Sequence, residues 1–213
     1  MIWVFDAYGT LFDVDGAARQ AAEDDPTLTA IWPALSFDWR RKQLEYSWMR
    51  CVTGEHADFW QVTSDALDWA AERHGVSDTA RLLDLYRRLP AYSEAAEVLE
   101  RLRQRGQIAI FSNGSPQMLE DAVSSAGLAP HLDALLSVES AGRFKPATEA
   151  YRVVTDHFGV APGEITFVSS NGWDIYGAAA FGFDTAWVNR AGLPVDRLPH
   201  RPARILPDLT GLL

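Results

Sequence analysis

The side chains in this sequence most suited to chemistry are Asp6, Tyr8 and Thr10, then Ser112 and Asn113, then Lys145, and finally Ser169, Ser170, Asn171 and Asp174. Together they offer two carboxylates, one ammonium and several hydroxyl and amide groups. That set suits nucleophilic attack by a carboxylate, with a cation near by to favour its ionised form. Each residue alone has a plainer role. An aspartate after a strand commonly caps a turn, a lysine before proline is often a solvated loop cation, and Asp174 suits the first turn of a helix. Ser112, Asn113, Ser169 and Asn171 are ordinary turn formers, and Thr10 and Tyr151 are no stronger taken singly.

What sets these residues apart is where the elements around them put them. Met1 to Phe5 is short, apolar and followed by a polar loop, the pattern of a buried strand. From about Ala17 to Leu89 the pattern is helical and no strand candidate interrupts it. Asp38 reads as the cap of a helix carrying Trp39, Leu44, Trp48 and Val52, and Phe59 to Ala71 forms a second amphipathic stretch. After Pro90 the sequence alternates, with helices expected over Ser93 to Arg105, Pro116 to Ala126, Thr148 to Phe158 and Trp173 to Phe181. Strands are expected over Ile108 to Phe111, Ala134 to Val138, Ile165 to Val168 and Thr185 to Val188. Strands separated by helices imply right-handed crossovers and a parallel sheet. The expected fold is therefore α/β, a Rossmann-like parallel sheet flanked by helices. A core of residues 1–14 and 91–213 is interrupted after its first strand by a helical cap, residues 15–90. In such a sheet, ligands sit beyond the carboxyl ends of the strands, so the polar loops form one cleft.

Composition narrows the chemistry. With 213 residues and 47% hydrophobic content the chain can bury a sizeable core. One cysteine, Cys51, rules out an internal disulfide and a multi-thiolate metal site, and it fits the cytoplasm. No export signal and no run of 18 apolar residues is present, so neither secretion nor membrane spanning is expected. A formal charge of −10, without a basic run, argues against nucleic acid and anionic membranes as partners. The five histidines form no metal-binding pair, and Pro194 to Arg204 reads as a loose region.

The segments FDAYGTLF at 5–12, SNGS at 112–115, FKP at 144–146 and VSSNGWD at 168–174 resemble the haloacid dehalogenase superfamily. WRRKQLEYSW at 39–48 and DFW at 58–60 are similar to its L-2-haloacid dehalogenase branch. The phosphatases of that superfamily carry a second aspartate two residues after the nucleophile and a carboxylate at the start of the last motif. This chain has Tyr8 and Ser169 there, which leaves mainly Asp6 and Asp174 for a hard divalent cation. No metal and no cofactor are expected.

The resemblance implies hydrolysis of small (S)-2-haloalkanoic acids to (R)-2-hydroxyalkanoic acids through an ester on Asp6, with water as the second reactant. By the same resemblance Lys145 lies beside Asp6, and Thr10 and Tyr151 hold the carboxylate and the lysine. Ser112 anchors the substrate carboxylate, while Arg40, Asn113 and Trp173 cradle the halide. Tyr8, Leu44, Phe59 and Trp173 wall the alkyl group. Asp174, with Lys145, Ser169 and Asn171, orients the water. Helical periodicity does not decide between Arg40 and Arg41: Arg41 can pair with Glu45, yet both arginines lie on stripes with apolar residues. The family's WR pattern selects Arg40. Arg41 and the VTGEHAD stretch at 52–58 depart from that pattern. The branch also allows a homodimer. The competing readings are a magnesium-dependent small-molecule phosphatase and a non-catalytic carboxylate-binding relative.

Overall fold

The computed structural model describes all residues, 1–213. Its first strand, β1 (Ile2–Phe5), takes the centre of the sheet because its side chains are apolar on both faces, and Trp3, Val4 and Phe5 are all buried. The other strands are β2 (Gln107–Ser112), β3 (Ala134–Ser137), β4 (Ile165–Ser169), β5 (Asp184–Val188) and β6 (Arg204–Leu206). All pair in parallel in the order β3-β2-β1-β4-β5-β6, so the strand order reverses beside β1. Phe5 stands opposite Ile110 on one side and Val168 on the other. This register brings the ends of β1, β2 and β4 to one edge, where Asp6, Asn113 and Ser170 leave the sheet.

Between β1 and β2 lie six helices: α1 (Gly16–Asp24), α2 (Pro26–Thr29), α3 (Trp32–Thr53), α4 (Phe59–His74), α5 (Ala80–Arg87) and α6 (Ala95–Arg103). The first five contain the expected helical insertion. Its two crossings to the sheet run side by side. Phe12 bridges Ala91 in antiparallel fashion, Asp13 N–H donates to the Pro90 carbonyl and Tyr92 N–H donates to the Leu11 carbonyl, both at 2.9 Å. Helices α7 (Pro116–Ser125), α8 (Thr148–Phe158) and α9 (Gly172–Phe181) complete the flanks of the sheet. No helix is long and apolar enough to cross a membrane.

Two expectations need correction. Asp38 does not cap a helix, because α3 already starts at Trp32 with Pro33 in its first turn, where a missing N–H costs nothing. Asp38 is instead buried between α3 and α4, held by Arg41, Arg73 and His74 at 3.1, 3.2 and 2.9 Å. The loose region after Pro194 ends in β6, whose three residues are too few to show an alternating pattern and which pairs only at the sheet edge.

Candidate active site

The loop after β1 turns at Gly9, whose φ of +86° is a conformation that side chains with a Cβ avoid. The turn lets Tyr8 and Thr10 flank Asp6. The Thr10 hydroxyl accepts the Ser170 N–H at 2.8 Å and so has its own hydrogen directed at Asp6 Oδ2, at 2.9 Å. Ser169 works the same way, accepting the Asn171 N–H and donating to Oδ2 at 3.3 Å. The Asn171 amide adds a third donor to Oδ2 at 2.8 Å and also reaches the Tyr8 carbonyl. Asp6 Oδ1 is differently placed, for it receives one hydrogen bond, from Lys145 Nζ at 3.2 Å.

Lys145 precedes a cis peptide bond to Pro146, and its side chain is fully buried. A buried ammonium is costly unless every proton is partnered. Here Nζ donates to the Phe111 carbonyl at 2.7 Å, to Asp174 Oδ2 at 3.1 Å and to Asp6, and it lies 4.5 and 5.0 Å from the ring centroids of Phe111 and Phe167. The Tyr151 hydroxyl donates to Asp174 Oδ1 at 2.7 Å, so Tyr151 holds Asp174 and reaches the lysine only through it. A Cβ at Gly177 would overlap that hydroxyl, which is why a glycine faces it on α9. Burial, offset in part by Lys145 and reinforced by the charge of Asp6, pushes the Asp174 carboxyl up to about 6.

Above this network is a narrow cleft lined by Asp6, Tyr8, Arg40, Leu44, Phe59, Ser112, Asn113 and Trp173. It gathers every residue that the sequence assigns to substrate and halide. Ser112 accepts the Gly114 N–H, and the Asn113 carbonyl oxygen takes the Lys145 backbone N–H at 2.9 Å, leaving its Nδ2 without a protein acceptor. The choice between the two arginines also becomes geometric. Arg41 is bound to Asp38 and Glu45, whereas Arg40 lines the cleft, forms no ion pair and is held by Gln43 at 2.6 Å and by the Tyr8 carbonyl at 3.5 Å.

Several residues around the cleft escape sequence reasoning. Gln43 positions Arg40, Tyr86 stacks on Tyr8 with centroids 5.6 Å apart, and Trp48 meets Trp173 edge-on at 5.6 Å. Glu139 receives the Phe59 N–H and His56 Nε2, each at 3.1 Å, tying the departing VTGEHAD stretch to the turn after β3. Gln43 lies three residues after Arg40, a spacing that could have signalled it. His56 and Glu139 are 83 residues apart, and no local signal joins them.

A divalent cation fits this donor set poorly. The ammonium of Lys145 already bridges the two carboxylates, and the other groups facing Asp6 are donors rather than anions. Nowhere does the structure bring together three or more His, Cys, Asp or Glu side chains able to hold a metal.

Comparison with known proteins shows the family. The chain is 45% identical to (S)-2-haloacid dehalogenase 4A of Burkholderia cepacia over 198 residues, covering 90% of this chain and 84% of that protein. It is 36% identical to haloacetate dehalogenase H-2 of Moraxella sp. (strain B), covering 98% and 94%. Its fold superimposes, with a TM-score of 0.88 and 37% identity over 99% and 96% of the two chains, on the L-2-haloacid dehalogenase from Xanthobacter autotrophicus with chloropropionic acid covalently bound. Residues 2–182 match the profile of the haloacid dehalogenase-like hydrolases, and with these relatives the chain belongs to that family.

Proposed function

We propose that this protein is an (S)-2-haloacid dehalogenase that hydrolyses small (S)-2-haloalkanoic acids to (R)-2-hydroxyalkanoic acids through an ester on Asp6. The observation that carries the reading is the asymmetry of the Asp6 carboxylate. Three donors occupy Oδ2, and Lys145 alone contacts Oδ1. Oδ1 therefore keeps an unshared pair for attack on C2 opposite the halogen. The new O–C bond forms as the carbon–halogen pair leaves with the halide, and the configuration inverts. Arg40, the Asn113 amide and the Trp173 ring receive the halide where its charge develops. Ser112, with backbone N–H groups of the loop after β1, anchors the substrate carboxylate, and Tyr8, Leu44 and Phe59 enclose the alkyl group.

In the second half-reaction water adds to Asp6 Cγ and passes a proton to Asp174. The charge that builds on Oδ2 meets Thr10, Ser169 and Asn171, donors already in place before reaction. Collapse breaks the Cγ–Oδ1 bond, the departing oxygen takes up a proton, and the hydroxyacid leaves with the oxygen that Asp6 supplied. Residues 15–90 act as a cap domain over a core of residues 1–14 and 91–213, supplying Arg40, Leu44 and Phe59 and closing over the substrate.

A single turnover in ¹⁸O water tests the ester. Label should enter the Asp6 carboxylate and be missing from the first equivalent of hydroxyacid; label in that first product would rule the route out. Bromide release from (S)-2-bromopropionate should persist in excess chelator, because two carboxylates shared with an ammonium leave a metal little to bind.

A further inference from the structure

A second hollow, of about 580 Å³ and open to solvent, lies against this cleft. Arg40 and Leu44 line both spaces, so the two lie against the same pair of side chains. The walls beyond are Val14, Trp32, Pro33 and Phe37. Pro33, Phe37, Arg40 and Leu44 follow one another at intervals of four, three and four residues, which puts them on one stripe of α3. Phe37 is 67% exposed and takes no part in the hydrophobic core, so packing does not account for an aromatic ring at this position. The remaining ionic groups of the hollow are already engaged: Asp15 accepts the Ser36 hydroxyl, and Arg41 is paired with Asp38 and Glu45. What the hollow offers a ligand is therefore mainly apolar surface, beside the Arg40 guanidinium, which has no carboxylate partner.

The narrow inner cleft has polar groups for a carboxylate and a leaving group but little room for a long chain. Resting on the reading of the site as a haloacid dehalogenase, we propose that the outer hollow is a chain subsite for the alkyl tails of medium-chain 2-haloalkanoic acids, and that Phe37 sets the preference for chain length. The tail passes Leu44 and lies along α3 toward Phe37. From Leu44 to Phe37 is seven residues, roughly 10 Å of helix, on the scale of a six- to eight-carbon tail.

The test compares initial bromide release from (S)-2-bromopropionate and (S)-2-bromooctanoate by the wild type, Phe37→Ser, Phe37→Leu and Met49→Ser. Met49 is likewise exposed on α3 but lies outside the hollow. The wild type should turn over both acids. Phe37→Ser should lose about tenfold in kcat/KM on the octanoate, chiefly through KM, and less than about twofold on the propionate. Phe37→Leu should restore the octanoate, and Met49→Ser should change neither. A wild type that takes the short acid and refuses the long one overturns the subsite, as does a Phe37→Ser variant that slows both alike. Conversion of a dimer to a monomer by Phe37→Ser, with the ratio of the two substrates unchanged, overturns it in favour of a second copy of the chain covering the hollow. Loss of both substrates in the wild type would instead sink the dehalogenase reading, and the subsite with it.

Discussion

The site is built from two regions that differ in how tightly they hold their side chains. At the strand ends, Asp6, Lys145 and Asp174 are buried and every lysine proton has an acceptor before any substrate arrives. On α3, Arg40 and Leu44 are only half-buried, and the guanidinium rests on a neutral amide and a distant carbonyl. Covalent chemistry benefits from groups that need not reorganise. Halide capture and release, the role proposed for Arg40, benefit from a cation that can still change partners. A charge embedded in the strand-end network should thus be costly to remove for both stability and rate, while one on the insertion should cost rate alone.

Removing Lys145 should have the largest effect. Lys145→Met leaves two buried carboxylates facing each other without their cation, and breaking a buried pair in this way costs on the order of 3–5 kcal/mol. Urea unfolding should show that loss, and halide release should fall by roughly a thousandfold or more. A variant with normal stability would break the contrast between the two regions at its strongest point.

Asp174→Asn should separate the half-reactions. Ester formation continues while its hydrolysis slows by roughly 10²–10⁴-fold, so halide appears as one rapid equivalent per site and the intact protein gains the mass of the substrate less hydrogen halide, a carboxyalkyl group joined through C2. In the wild type, hydrolysis of the ester should decline as acid protonates Asp174, at a pH below the value of about 6 that holds while Asp6 is charged, because the ester removes that charge; the asparagine variant should lack that limb. The stability effect has the opposite sign to that of an ion-paired surface aspartate. Because the folded carboxyl binds its proton more readily than the ordinary value of 3.8, this group's contribution to stability rises as pH falls from about 6 to 4 and declines as pH rises through the same range.

Arg40→Ala sharpens the comparison from the other side. Catalytic efficiency should drop about 10- to 100-fold through weaker halide stabilisation, while the unfolding free energy changes by no more than about 0.5 kcal/mol. The smallest effect is expected at Glu139, which acts through Phe59. Glu139→Ala should raise KM a few-fold and cost about 1 kcal/mol of stability, and Glu139→Gln should restore KM because its amide oxygen can still accept the Phe59 N–H.

The strand-end chemistry was legible in the sequence because a buried parallel strand followed by a polar loop is a local pattern, and parallel register carries several such loops to one edge. Thr148 to Phe158 is helical over that very span, the β1, β4 and β5 boundaries move by one residue at one end, and β2 is longer by one residue at each end. The insertion was harder to read. Asp38 looks like a cap because aspartate favours helix starts, yet two arginines and a histidine gathered from two helices hold it in a helix interior. Glu139 and Tyr86 join the site through contacts that only the folded chain creates, across 80 residues to Phe59 and between α5 and the β1 loop.

The paired crossings at Phe12 and Ala91 carry a consequence for engineering. Since Asp13 and Tyr92 are already hydrogen-bonded to Pro90 and Leu11, the entry and exit of the intervening 76-odd positions arrive pre-joined, like the two ends of a socket. A different helical module spliced at that seam would meet an intact backbone ladder beneath it. New selectivity could then be fitted without redrawing the strands that aim the reactive carboxylate.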